Sequence, residues 1–355
     1  MNSIQKVIAS LKKAKLQAIF ITNPENRQYL TGLHTSSGVL LITLNDSWFF
    51  TDSRYIEKAQ KTITGAKVEL SNDSTSFYKQ FKSILKKEKI TSIGFEDNRI
   101  IYSSYLIWKE KLGIELIPAK GLVEKLRIRK TPEELEKIIK AQRIAEKTFD
   151  EILPLISTNI TEKQLASEIV YRLMNNGADD KAFDPIVVSG ANSSMPHGVP
   201  GNNKLNPGFI TFDFGAKLDG WCSDMTRTVC LEKPSNEMKK VYNTVLKAQE
   251  TAIKIMRAGV KGIDVDTAAR DIIKDAGYGD FFGHGFGHAI GLEVHENPRA
   301  SQFSKEKLPE GTVISAEPGI YLPGKFGVRI EDLIYITKDS YVNITKTPKE
   351  LFIID

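Results

Sequence analysis

The sequence predicts a two-domain protein, α/β over residues 1–122 and α+β over residues 131–355. Three observations predict it. The chain has 355 residues, room for about two domains at roughly 100–200 residues each. Its first third alternates short apolar runs with helical stretches, the pattern of a layered α/β domain. The remainder carries long capped helices among hairpin-like strands.

In the first third, Ile4, Val7, Ile8 and Leu11 recur at helical spacing with lysines between them. A targeting presequence has this look. No small-residue cleavage site follows, and the segment runs straight into a strand at 17–22, so the expected reading is the first amphipathic helix of a domain. Further strands are expected at 38–43, 47–51, 67–70 and 92–95, and helices at 75–88 and 101–112. The boundary falls near Leu122–Lys130, just before Thr131-Pro132-Glu133-Glu134. There Thr131 caps a helix, Pro132 suits its first position and Glu134 completes a capping box. Thr161 and Gln164 form a second box, and longer helices follow at 236–258 and 264–276. Strands are expected at 209–214, 219–230, 313–317 and 327–336.

Composition excludes several classes. At 41% hydrophobic and 26% charged residues the chain is ordinary globular protein. Its apolar runs, such as 38–42 and 186–188, fall far short of the ~20 residues that span a bilayer, so no membrane role is expected. A net charge of +5 is spread thinly over 49 basic and 44 acidic residues, with no basic block suited to nucleic acid. Cys222 and Cys230, on one strand at ~3.3 Å per residue, lie too far apart for a disulfide. Sparse cysteine fits a reducing, cytoplasmic setting.

Four segments concentrate chemistry. In Thr211–Thr226, Gly215 and Gly220 flank a polar turn, which reads as a hairpin. An even loop sets Asp213 opposite Cys222 and puts Asp213 and Asp224 on one face as diagonal neighbours. Two unpaired carboxylates side by side repel, and a cation between them removes the conflict. In Gly283–Glu296 stand three of the five histidines, His284, His288 and His295, among glycines that let the backbone pack closely. This glycine pattern is not a dinucleotide loop, because His288 stands where the last glycine belongs. Glu317 and Glu331 are the third and fourth, each an acid in an otherwise apolar strand and each in need of a partner. An ion pair of Glu331 with Arg329 is awkward for residues two apart on a strand, and Arg329 is also placed to serve a substrate.

Asp213, Asp224, Glu317 and Glu331 carry four negative charges and His288 none. One divalent ion leaves about two charges uncompensated, whereas two ions balance the set. Carboxylate-rich ligation with one imidazole suits Mn²⁺ or Co²⁺, with Zn²⁺ or Fe²⁺ as further options. A pair of ions ~3.5–4 Å apart makes hydroxide available near neutral pH, so the site is hydrolytic without a Ser or Cys nucleophile. His197 and His295 remain to hydrogen-bond a carbonyl oxygen or a tetrahedral intermediate.

These residues stand in segments that resemble the creatinase/prolidase/methionine aminopeptidase family of pita-bread metallopeptidases, in its Xaa-Pro aminopeptidase and Xaa-Pro dipeptidase branch. The matching stretches are Phe183-Asp-Pro-Ile-Val-Val-Ser-Gly190, Met195-Pro-His197-Gly, Asp213-Phe-Gly, Ser223-Asp224-Met-Thr-Arg-Thr228, His284-Gly-Phe-Gly-His288, Gly291-Leu-Glu-Val-His295-Glu, Glu317-Pro-Gly and Val328-Arg-Ile-Glu331-Asp. Tyr29-Leu-Thr-Gly32 and Phe50-Thr-Asp-Ser-Arg-Tyr55 extend the likeness into a creatinase-like N-terminal domain.

The resemblance implies a pita-bread catalytic domain with Asp213, Asp224, His288, Glu317 and Glu331 as ligands of two metal ions, Asp224 and Glu331 bridging them. It implies that Glu317 also acts as general base, that His197 and His295 steady substrate and intermediate, and that the enzyme is a homodimer. The implied substrates are small peptides with proline second. The Xaa-Pro bond is a tertiary amide of fixed φ, which a site must be shaped to accept. A dipeptidase must also hold a free carboxylate, for which Arg299 and Arg329 are the candidates. The alternatives are a catalytically inactive binding module on the same fold and the amidine chemistry of creatinase. The intact ligand set argues against both.

Overall fold

The computed structural model describes residues 2–354. The chain forms two compact units, one ending at Arg127 and the other beginning at Ile128.

The first unit runs α1 (Ser3–Ala14), β1 (Ala18–Ile21), α2 (Pro24–Thr31), β2 (Val39–Thr43), β3 (Ser47–Thr51), α3 (Ile56–Thr62), β4 (Lys67–Leu70), α4 (Ser74–Lys87), β5 (Ser92–Phe95), α5 (Tyr102–Leu112), β6 (Glu115–Pro118) and α6 (Glu124–Arg127). Its six strands form one sheet in the order β4-β3-β2-β1-β5-β6. The pairs β1–β2 and β2–β3 are antiparallel and the others parallel. Helix α1 is capped by Asn2, whose side chain accepts from the Gln5 amide, and it buries Ile4, Val7 and Leu11. These lysine-spaced residues therefore build the domain core. Phe20, Phe50, Phe81 and Trp108 pack together in a buried cluster, Phe20 stacking on Trp108 at 4.3 Å.

The second unit opens with α7 (Pro132–Ile152) and α8 (Glu162–Asn175), both with complete capping boxes. There follow β7 (Asp180–Lys181), β8 (Ile186–Ser189), β9 (Gly208–Phe214), β10 (Ala216–Leu218), β11 (Trp221–Cys222), β12 (Met225–Leu231), α9 (Asn236–Ile255) and α10 (Gly262–Asp275). The chain ends with β13 (Gly287–Ala289), β14 (Glu296–Ala300), β15 (Val313–Ala316), β16 (Gly319–Leu322), β17 (Phe326–Arg329), β18 (Asp332–Ile336), β19 (Tyr341–Asn343) and β20 (Ile353–Ile354). Two larger sheets run β20-β12-β9-β8 and β14-β13-β15-β18-β19, and β16–β17 is a separate hairpin. Helices α7 and α8 bury their apolar stripes on Ile210, Phe212, Phe214 and Val229. Helices α9 and α10 do the same with Ile314, Val328, Ile334 and Ile336. On β9 the alternation of a strand leaves Thr211 and Asp213 on the face away from α7 and α8.

Two strands expected as continuous are broken. Residues 219–230 divide into β11 and β12, and 327–336 divide into β17 and β18, which belong to different sheets. The expected strand 313–317 stops at Ala316, and the chain passes Glu317 and Pro318 before β16 starts. Asp224, Glu317 and Glu331 thus sit at the gaps between strands rather than inside them. Apolar runs of high β propensity give no local sign of such gaps. The gaps arise because side chains from several strands must meet at one point, which a straight ladder does not allow. Among the described residues no helix is long and apolar enough to cross a membrane.

Candidate metal centre

The turn Asp219-Gly220 joins β10 and β11, with φ of +49° and +80°. Positive φ at both central residues is what a tight two-residue hairpin demands. The resulting register sets Cys222 opposite Lys217 and Asp213 opposite Thr226. The expected pairing of Asp213 with Cys222 is therefore corrected by four residues, Asp213 facing Thr226 instead. Such a shift preserves the facing of every side chain, so Asp213 and Asp224 still converge. One carboxylate oxygen from each of Asp213, Asp224 and Glu331 lies within 4.8 Å of the other two, a spacing that a cation can span.

Glu331 reaches this point by anchors on both its side chain and backbone. Its Oε2 accepts from the Thr226 hydroxyl at 2.7 Å, and its amide donates to Thr226 O at 3.1 Å. Buried Arg227 donates to Glu331 O and Asp332 Oδ1, fixing the turn from behind. Asp224 is 4% exposed and Glu331 1%. Burial, followed by the neighbouring carboxylates, raises both carboxyls well above the usual range. Asp213 Oδ1, Asp224 Oδ1 and Glu331 Oε1 are buried without a hydrogen-bond partner. Buried acceptors are rarely left so, because each unmade bond costs about 1–3 kcal/mol. Three of them at one point mark a place for a cation.

His288, on β13, adds a nitrogen. Its Nδ1 donates to Ala289 O at 3.2 Å, which leaves the Nε2 lone pair facing Glu317 Oε1 at 3.3 Å and Asp224 Oδ2 at 3.9 Å. An imidazole oriented through its other nitrogen is the usual arrangement of a ligand histidine. Burial alone works against charging either His288 or Glu317. Without a cation, their contact overcomes it, raising the imidazole and lowering the carboxyl. The Ser315 hydroxyl donates to Glu317 Oε1 at 3.1 Å and accepts from the His288 amide at 3.0 Å. Gly287 permits this closeness, since a Cβ there would stand 2.0 Å from Ser315 O. The donor set of four carboxylates and one imidazole fits divalent cations of the Mn²⁺, Co²⁺ or Zn²⁺ kind.

Asp213, Asp224, His288, Glu317 and Glu331 all line one cavity of about 570 Å³, together with His197, His295, Arg299 and Arg329. His295 stands edge-on to His288 with ring centres 4.3 Å apart. Burial, with the adjacent His288, lowers its pKa, so its ring is neutral at pH 7. Arg329 is not free for a substrate. It donates to Thr226 Oγ1, Pro196 O, Tyr321 Oη and Asp213 Oδ2, the last at 2.6 Å. Its acidic partner is thus Asp213 rather than Glu331. The Arg299 guanidinium has no hydrogen-bond or ion-pair partner among the described residues.

Sequence reasoning missed the groups behind the ligands. His284 Nδ1 donates to Gly285 O, so its Nε2 accepts from the Tyr321 hydroxyl at 2.9 Å, and that hydroxyl accepts in turn from Arg329. Burial pushes the Tyr321 phenol up to about 12, which keeps its proton in place. The glycine-flanked His284 was the one available signal. Nothing near Ser315 or Tyr321 in the sequence marks them.

The family model for metallopeptidase family M24 matches residues 136–338, and that for the creatinase/prolidase N-terminal domain matches residues 3–129. The chain belongs to metallopeptidase family M24. Its fold is accordingly the pita-bread domain behind a creatinase-type N-terminal domain. Among solved structures, this M24 metallopeptidase is similar to an Xaa-Pro dipeptidase from Bacillus anthracis, with a TM-score of 0.96, 39% identity and 99% of each chain covered. It is also similar to an X-Pro aminopeptidase from Thermotoga maritima, with a TM-score of 0.91, 37% identity, and 98% of this chain and 100% of that one covered. A curated relative, the Xaa-Pro dipeptidase of Pyrococcus furiosus, is 34% identical over 350 residues, 98% of this chain and 99% of that protein.

Proposed function

We propose that this M24 metallopeptidase is an exopeptidase that holds two divalent cations and hydrolyses the bond between an N-terminal residue and proline, with Xaa-Pro dipeptides as its substrates. The observation that carries the reading is the set of unpartnered buried oxygens on Asp213, Asp224 and Glu331. Four carboxylates and one hydroxide would balance two divalent cations together with the Arg329 guanidinium held on Asp213. Asp213, Asp224, His288, Glu317 and Glu331 would hold the ions, with Asp224 and Glu331 shared. When bound, the pair supplies Lewis acidity and makes hydroxide available near neutral pH.

The protein's own groups do the rest. Glu317 takes a proton from the attacking water and returns it to the proline nitrogen as the C–N bond breaks. The rings of His197 and His295 donate to the carbonyl oxygen as it gains charge. Relatives named for both dipeptidase and aminopeptidase activity support the proline preference but divide on substrate length. The unpaired Arg299 favours the dipeptide, because a free guanidinium in the cavity suits the carboxylate that ends it.

The test compares Ala-Pro, Ala-Pro-amide and Ala-Pro-Pro with wild type and Arg299→Ala, each stripped and then reloaded with Mn²⁺, Co²⁺ or Zn²⁺. Turnover of Ala-Pro should require reloading, and Arg299→Ala should raise KM for Ala-Pro roughly tenfold, the effect of about 1.4 kcal/mol, with the amide unaffected. Equal losses on Ala-Pro and its amide would sink the carboxylate role. Turnover by stripped enzyme would sink the metal-dependent reading itself.

A further inference from the structure

The segment that carries His197 leaves β8 at Ser189, lines the cavity with Pro196 and His197, and continues to Gly201. Most of its own bonds are local. Ser193 Oγ donates to Gly190 O at 2.6 Å, and the amides of Met195 and Gly198 donate to Asn192 O and Met195 O. Such turns shape a loop but do not hold its two ends together. One buried carboxylate does, beside the Lys163 amide of α8, which donates to Gly201 O at 3.0 Å and ties down the end alone. Glu162, 2% exposed, opens α8. Its Oε1 accepts from the Ser189 amide at 2.6 Å and the Ser189 hydroxyl at 3.1 Å. Its Oε2 accepts from Asn192 Nδ2 at 2.8 Å and the Gly201 amide at 3.0 Å. Thus the start, an interior residue and the end of the loop are bound to a single charge.

From these contacts we propose that Glu162 is a positioning residue for the reaction: its carboxylate closes the 189–201 loop and so holds the His197 ring at the cavity. The inference rests on the role given to His197 above. Glu162 touches neither the candidate metal ligands nor the cavity, and its effect passes through the loop backbone. On its opposite side the loop is anchored by the bond from Arg329 to Pro196 O at 3.2 Å, next to His197, and by the Gly327 amide, which donates to Ser193 Oγ at 2.9 Å. Arg329 also holds Asp213. The ring is therefore placed between a clamp on α8 and a guanidinium tied to the metal centre. A misplacement of about 1 Å at such a position costs on the order of 100-fold in rate, so a partial loosening has a measurable cost.

Glu162→Gln is the sharp variant. Its amide nitrogen would face the donors of Asn192 and Gly201 while its oxygen keeps the bonds from Ser189. The expected result is about a tenfold fall in kcat/KM on Ala-Pro, most of it in kcat, with the content of both cations unchanged. The double variant with His197→Ala should be no slower than His197→Ala alone, because a clamp has nothing to place once the ring is gone. Hydrogen exchange of the cation-free protein gives a readout independent of activity. Amides at 189–201 should exchange faster in Glu162→Gln, with those of α9 unchanged. Wild-type activity in Glu162→Gln would overturn the proposal, as would a double variant that multiplies the two losses. Should His197→Ala be fully active, the His197 role falls, and the exchange of 189–201 alone decides on the clamp. Asn192→Ala, which removes one donor and leaves Glu162 in place, covers the case in which Glu162→Gln does not fold. It should show the same pattern at roughly threefold, and unaltered exchange in the loop would overturn the clamp.

Discussion

Both units bury carboxylates that are met by donors, as Glu162 is in the second, but among the described residues only the second also buries carboxylate oxygens that no donor meets. In the first, Glu96 is 4% exposed and both of its oxygens are satisfied. Oε2 accepts from the amides of Thr22 and Asn23 at 2.7 and 2.8 Å, and Oε1 from Asn26 Nδ2 at 2.7 Å. In the second, Asp224 and Glu331 are buried as deeply and each keeps an oxygen without a partner. A folded chain tolerates a buried charge when neighbouring donors solvate it. Where the donors are withheld at three carboxylates facing one point, the solvating group comes from outside the chain. Burial does not separate a structural acid from a ligand, and counting donors does.

The widest test of this contrast is Asp224→Asn. Turnover and cation content should vanish together, while the stripped variant melts higher than stripped wild type at pH 8, because one of several repelling carboxylates is gone. Glu96→Gln should go the other way. If stripped Asp224→Asn melted lower than stripped wild type, the repulsion argument would be wrong.

The next largest effect concerns pH. Asp224 and Glu331 titrate above their unfolded values near 4 in the cation-free protein. The folded chain then binds more protons than the unfolded chain across that interval, so stripped protein loses stability as pH rises through it. Loaded protein holds these groups ionised throughout and escapes that loss. Glu96, also raised by its burial, contributes to both forms and cancels. The gap in melting temperature between loaded and stripped protein should widen from pH 5 to pH 8. Parallel curves would count against the carboxylate cluster as the cation site.

Thr226→Val lies between the extremes. It removes the hydrogen bond on Glu331 Oε2 and the one that Thr226 Oγ1 accepts from Arg329, leaves the candidate ligands in place, and should weaken cation binding about 10–100-fold, as loss of such outer partners does. Unchanged affinity in a chelator titration would mean that Thr226 only packs. The smallest change is expected from Glu96→Gln, which turns one acceptor into a donor against donors. Stability should fall by about 1–3 kcal/mol with kcat unchanged; a changed kcat would break the division between the two kinds of acid.

Much of the fold was legible in the sequence because its signals are local. Strands 47–51, 67–70 and 92–95 follow their apolar runs residue for residue, and both capping boxes form as spelled. Helices α2 and α3 and strand β6 escaped, since short segments carry little periodicity. At the site, the five donor residues stand out by type, and alternation alone placed Asp213 and Asp224 on one face. Two things were not legible. The interruptions at Asp224, Glu317 and Glu331 are imposed by convergence in space, against strand-forming sequence. The partner of Arg329 is an aspartate on β9, and no spacing along β17 points to it.

Those interruptions bear on when the centre comes into being. Asp213 and Asp224 belong to one sheet region, His288 to another, and Glu331 to the crossing from β17 to β18, so no autonomous hairpin or fragment contains the full set of donors. With the donor set proposed above, cation capture would be tied to completion of the whole second unit. On that proposal a chain halted before residue 331 during synthesis has no competent trap, and loading serves as the final stamp on a finished molecule.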